Sequence, residues 1–103
     1  KIVLVMIMIE NNGIVCFTFD DRNFQGWINA MPIFEKYNAH ASFFISGEID
    51  DEALSAIKIL YKAGHTIGLH TKNHSDAPEY FEKYSADLYF QNEIKEQMQK
   101  LLQ

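Results

Sequence analysis

Residues 41–70 read ASFFISGEIDDEALSAIKILYKAGHTIGLH, and within that stretch the hydrophobic pattern changes period twice. ASFFI at 41–45 is a short apolar run of the kind a buried strand presents, closed by Ser46-Gly47. Asp50 and Asp51 are placed to cap a helix that carries Leu54, Ile57, Leu60 and Tyr61 on one face, and Gly64 stops it. Residues 65–69 then form a third short strand. Strand, helix and strand in this order predict a parallel pair joined by a crossover helix.

Upstream, residues 24–37 set Trp27, Ile28, Met31, Phe34 and Tyr37 at helical spacing, with Pro32 interrupting them. Two readings fit: a helix capped by Asn29, with Pro32 in its first turn, or a longer helix kinked at Pro32. Residues 2–9 and 14–19 are continuous apolar runs, and Asn12-Gly13 between them is a strong hairpin signal. Downstream, Ser85 is expected to cap a last helix with the stripe Leu88, Ile94, Met98, Leu101 and Leu102. An opening hairpin strand followed by three β-α units makes the chain α/β, with a parallel sheet.

Composition narrows the class. The chain has 103 residues, 48% of them hydrophobic and 14% aromatic, which is a globular composition. Its length fits a single domain, 1–103. A net charge of -5, with no basic run, argues against a nucleic-acid partner. The longest apolar run, at 2–9, is too short to span a membrane. A chain opening on Lys1 is expected to lack any signal peptide its gene encodes. Cys16 is the single cysteine and forms no internal disulfide.

In parallel α/β folds, functional groups gather at the C-terminal ends of strands. The strand at 14–19 runs into Asp20-Asp21, and the strand at 65–69 ends in His70, with His74 four residues on. One Asp with two His is a ligand set that leaves a coordination position open for water. Adjacent Asp residues on a strand point in roughly opposite directions, so one could ligate while the other acts as a base. Taken singly, an Asp pair is commonly a cap or turn feature, and His at i and i+4 is commonly solvated. On spacing alone, a shared metal site and two unrelated surface features both fit. His40 and His65 open their strands and read as structural. Phe43, Phe44 and Trp27 read as core, with one of the aromatics available to line a sugar-binding wall.

Thr18–Asp21 (TFDD) together with HTKNH at 70–74 resembles the polysaccharide deacetylases of carbohydrate esterase family 4. ASFFISG and AGHTIGLHT are similar to that family's second and third strands. The resemblance implies a distorted (β/α) barrel, of which this chain would be the N-terminal half of a single domain. It implies Asp20 as general base, and Asp21, His70 and His74 as ligands of a divalent metal. Zinc is the expected ion, with cobalt, nickel and manganese as alternatives. Thr71 would support the histidine loop by hydrogen bonding. The implied reaction is hydrolysis of N- or O-acetyl groups on a polysaccharide or oligosaccharide, by a secreted, periplasmic or cell-envelope protein.

Two departures accompany the resemblance. Arg22 stands where the family has Gly after the Asp pair, and could lower the pKa of Asp20 or turn out to solvent. Arg22 is also the residue that leans toward a non-catalytic carbohydrate-binding or interaction domain. A metal-dependent hydrolase of another small amide is the third reading. The family's later motifs, including the Leu-x-His that donates the general acid, have no counterpart here. A piece of a longer protein is therefore expected, with completion by another chain or a second copy as alternatives. An isolated half barrel would expose two sheet edges and favour self-association.

Overall fold

The helices and strands follow from local signals. Strand β1 (Thr18–Asp21) leads into helix α1 (Phe24–Lys36), strand β2 (Ser42–Ile45), helix α2 (Asp51–Lys62) and strand β3 (Thr66–Leu69). These elements come from a computed structural model that describes residues 13–103. The expected opening strand at 2–9 and its turn at Asn12 lie outside the described residues. The run at 14–19 is shorter as a strand than expected: β1 begins at Thr18, and residues 14–17 are exposed without regular structure.

The three strands form a parallel sheet in the order β1-β2-β3. Its register pairs Thr18 with Ser42 and Asp21 with Ile45 on one side of β2, and Ser42 with Thr66 and Ile45 with Leu69 on the other. The chain is thus α/β with an open three-stranded sheet among the described residues, in the alternating order expected.

Helix α1 starts at Phe24, so the reading in which Asn29 caps it is corrected. Asn23 is the cap, its side chain accepting a hydrogen bond from the Gly26 N–H at 3.3 Å. Phe24, Trp27 and Met31 are buried along the helix, each contributing about 1.5–3 kcal/mol. Together they outweigh the roughly 3 kcal/mol cost of the interior proline, Pro32, which is exposed. Asp50 caps α2 as expected, accepting from the Ala53 N–H at 2.9 Å. Both helices end in the same way. The N–H of His65 reaches the Leu60 carbonyl around Gly64 (φ 89°), and that of Ala39 reaches the Phe34 carbonyl around Asn38 (φ 48°).

Phe43 is the centre of the core. It is fully buried, with Phe19 stacked on it at 5.3 Å and Trp27, Phe34 and His65 around it. Alternation along β2 puts Phe44 on the opposite face, where it is half-buried against Gly68. The expectation that Phe44 is core is corrected to that extent.

The C-terminal region departs most from the sequence pattern. A helix at Ala77–Lys83 (α3), capped by Asp76, was not anticipated. Ser85 does cap the next helix, α4 (Ala86–Tyr89), which runs through a π-turn at Phe90–Ile94 into α5 (Lys95–Leu101). The π-turn shifts the helical register. Glu93 and Gln97 are therefore the buried side chains, while Leu88, Met98 and Leu102 of the expected stripe are exposed.

His65 is buried, and its Nδ1 accepts the Ala41 N–H at 3.0 Å, consistent with a structural role. Burial, aided by the neighbouring His40, holds its pKa below the ordinary histidine value. The unfolded chain therefore takes up a proton that the folded one resists, and stability falls as pH drops below about 6.5. Urea denaturation at pH 7.5 and 5.5 should show this loss in the wild type. In His65→Gln, whose amide oxygen can accept the same N–H, the difference between the two pH values should shrink.

Candidate metal centre at the sheet edge

The level register brings the ends of β1, β2 and β3 to one edge of the sheet, and three loops begin there. Asp21, the last residue of β1, has φ 80°. That left-handed backbone ends the strand's alternation, so the two adjacent carboxylates do not diverge as expected. Asp20 Oδ2 lies 3.9 Å and Asp21 Oδ1 3.8 Å from the same atom, His70 Nε2.

The loop after β3 turns back sharply, with Thr71 at φ 67° and His74 at φ 55°. Thr71, a β-branched residue, is strained there. The result is that the Nε2 atoms of His70 and His74 stand 2.9 Å apart. His74 Nε2 is also 3.3 Å from Asp21 Oδ1. Asp21, His70 and His74 thus offer one ligand atom each to a common point. Bonds of about 2.0–2.2 Å to a tetrahedral ion imply ligand atoms a little over 3 Å apart, so the three fit a small divalent cation. The set is open: His70 is half-buried, and Asp20, Asp21 and His74 are exposed. A cleft of about 410 Å³ lies beside it, lined by His70, Thr71, His74, Ser75, Asp76, Ala77 and Tyr89. Burial, with Glu93 and Asp76 nearby, raises the Tyr89 pKa, so its hydroxyl stays a donor over that cleft.

Arg22 is engaged by the chain rather than turned out to solvent. Its Nη1 donates to the carbonyls of Ser46 and Glu48, both at 2.7 Å, and its Nη2 reaches Asp50 at 3.2 Å. The guanidinium thus ties β1 to the loop before α2. The backbone carbonyl of Thr71 accepts the Gly47 N–H at 3.0 Å, which ties the histidine loop to the end of β2.

Sequence reasoning missed the group beneath that loop. Glu93, 2% exposed, accepts from the Asn73 N–H at 2.7 Å, the Asn73 Nδ2 at 3.1 Å and the Ser75 Oγ at 2.6 Å. Burial alone would raise its pKa, but the bonds from Ser75, Asn73 and Lys72 prevail and lower it. Its backbone carbonyl accepts the Lys72 N–H at 2.8 Å. One turn on, Gln97 Nε2 donates to the carbonyls of Ile45 and Gly47. Lys72 also pairs with Glu96 at 2.5 Å. The helical period was the only sequence signal for these residues, and the π-turn alters it.

The sequence model of the polysaccharide deacetylase family matches residues 9–103. A chitin deacetylase of Arthroderma benhamiae is 39% identical over 69 residues, which is 63% of this chain and 18% of that protein. An uncharacterized 30.6 kDa protein of Geobacillus stearothermophilus is 30% identical over 63 residues, 60% of this chain and 24% of that protein. The chain thus covers less than a quarter of either relative.

Gly47 makes the edge testable without touching the acidic or histidine groups. Its φ is 78°, and a Cβ there would lie 2.7 Å from Arg22 Nη1. Gly47→Ala should destabilise the fold by about 1–3 kcal/mol, from backbone strain and displacement of Arg22, as read by urea denaturation.

Proposed function

The chain belongs to the polysaccharide deacetylase family, and from that premise we propose that it is the metal-binding, N-terminal part of a domain that hydrolyses acetyl groups on a polysaccharide. The observation that carries this reading is the convergence of Asp21, His70 and His74, with 2.9, 3.3 and 3.8 Å between ligand atoms and Asp20 alongside. In this reading Asp21, His70 and His74 hold the ion, zinc before cobalt, nickel or manganese. Such an ion supplies Lewis acidity toward an acetyl carbonyl and lowers the pKa of bound water.

The chain's own groups divide the remaining work. Asp20 Oδ2 accepts the proton of the attacking water as its oxygen bonds to the acetyl carbon. The C–N bond of an acetamide, or the C–O bond of an ester, then breaks, and the leaving atom takes up a proton. Acetate and a free amino or hydroxyl sugar result. We place the donor of that last proton in the part of the protein that the relatives have and this chain does not cover. The cleft beside His74 and Tyr89 is where we place the acetylated sugar. The same premise suggests a secreted, periplasmic or cell-envelope protein, because acetylated polysaccharides lie there; no helix among the described residues is long and apolar enough to cross a membrane.

A non-catalytic binding domain had Arg22 as its support. That guanidinium is engaged by Ser46, Glu48 and Asp50.

The test uses the whole protein, with bound metal and acetate release from acetylated chito-oligosaccharide, peptidoglycan and xylan fragments measured side by side. Wild type should bind about one equivalent of metal and release acetate. Asp21→Ala and His70→Ala should lose the metal. Asp20→Asn should keep it and lose about 10²–10⁴-fold in turnover. Unchanged metal content in both ligand variants, or glycan binding without acetate release by wild type, would overturn the reading.

A further inference from the structure

The loop from His70 to Asp76 has no regular structure, and two of its backbone angles are unfavourable. Those angles bring its two imidazoles together, and bonds from outside the loop hold it in that shape. Its backbone donors and short polar side chains converge on a single residue from another element. Lys72 and Asn73 lie between the histidines and Ser75 directly follows the second; all three donate to Glu93. Glu93 is buried, and the π-turn at Phe90–Ile94 sets it and Gln97 against the sheet edge. Gln97 fixes the same helix to the end of β2 through the Ile45 and Gly47 carbonyls.

We propose that Glu93 is a positioning residue that sets the spacing of His70 and His74 by holding the segment between them. Its carboxylate acts through Asn73 and Ser75 and bonds to neither ring, while its backbone carbonyl accepts the Lys72 N–H. The zinc arm of the test rests on the reading of the histidines as ligands. The chemistry explains why the residue is a carboxylate. Two side-chain N–H or O–H groups and one amide N–H point at it, and an ionised carboxylate is all acceptor. An amide in its place would turn an NH₂ toward a donor, so Glu93→Gln should fall between wild type and Glu93→Ala.

The test separates positioning from general stability. Ligand-free whole protein, with ¹⁵N-labelled histidine, is compared as wild type, Glu93→Ala, Glu93→Gln and Leu60→Ala, at a temperature where all are folded. Leu60 is fully buried in α2 and serves as the destabilised control. The deciding readout is the ring-to-ring nuclear Overhauser contact of His70 and His74. Zinc affinity by chelator competition is the second. Glu93→Ala should lose the contact and bind zinc about 10–100-fold more weakly, while Leu60→Ala matches wild type in both. A contact retained in Glu93→Ala, or lost equally in Leu60→Ala, would overturn the proposal. A wild type that binds no zinc would instead defeat the metal reading, and the ring contact would still decide the role of Glu93.

Discussion

The parallel register that sets Asp21 beside Ile45, and Ile45 beside Leu69, is the constraint on which the rest of the molecule depends. It levels the ends of three strands, so residues more than forty positions apart in the chain enter one small volume. The register is enforced two residues earlier on the same strands. Phe19, Phe43 and Ile67 are paired across the sheet, and the buried aromatic layer of Trp27, Phe34 and Phe43 packs there. A slip of one residue would turn Phe43 out of that layer. Burial of large side chains, at about 1.5–3 kcal/mol each, thus fixes where Asp20, Asp21 and His70 emerge.

Beyond the strand ends, the geometry is held by polar bonds rather than by packing. Asp21, Thr71 and His74 each occupy the left-handed region, at about 1–3 kcal/mol apiece. Opposing that strain are Arg22 on the carbonyls of Ser46 and Glu48, Gly47 on Thr71, and Glu93 under Lys72, Asn73 and Ser75. Each bond is worth about 0.5–1.5 kcal/mol net, more where a charge takes part. Two of these residues, Asp21 and His74, belong to the group that converges, and Thr71 lies on the loop between His70 and His74. The network also explains the C-terminal helices, which bring Glu93, Glu96 and Gln97 to the edge despite exposing Leu88, Met98 and Leu102.

Much of this was legible in the residues. The two strand ends, TFDD and the His70–His74 pair, were recognisable because strand termination and ligand chemistry both write themselves locally. So were the Asp50 cap, the Gly64 stop and the Ser85 cap. The start of α1 was obscured because Pro32 drew the boundary toward Asn29, whereas burial of Phe24 and Trp27 decides it. The helix at Ala77–Lys83 carries a local signal: an Asp cap, an early proline and Glu79 three residues on. Glu93 and Gln97 were out of reach, because a single π-turn moves the buried face off the 3.6-residue period. The direction of Arg22 was out of reach too, since its partners belong to a loop more than twenty residues away.

In the proposed reading, Asp21, His70 and His74 are one coordination site rather than three neighbouring surface groups. X-ray absorption at the zinc edge, on the whole protein loaded with one equivalent of zinc, tests it most directly. Two imidazoles among otherwise oxygen ligands at about 2.0–2.2 Å, with one imidazole lost in His74→Ala, is the predicted shell. A shell without imidazole, or one unchanged by that substitution, would contradict the claim.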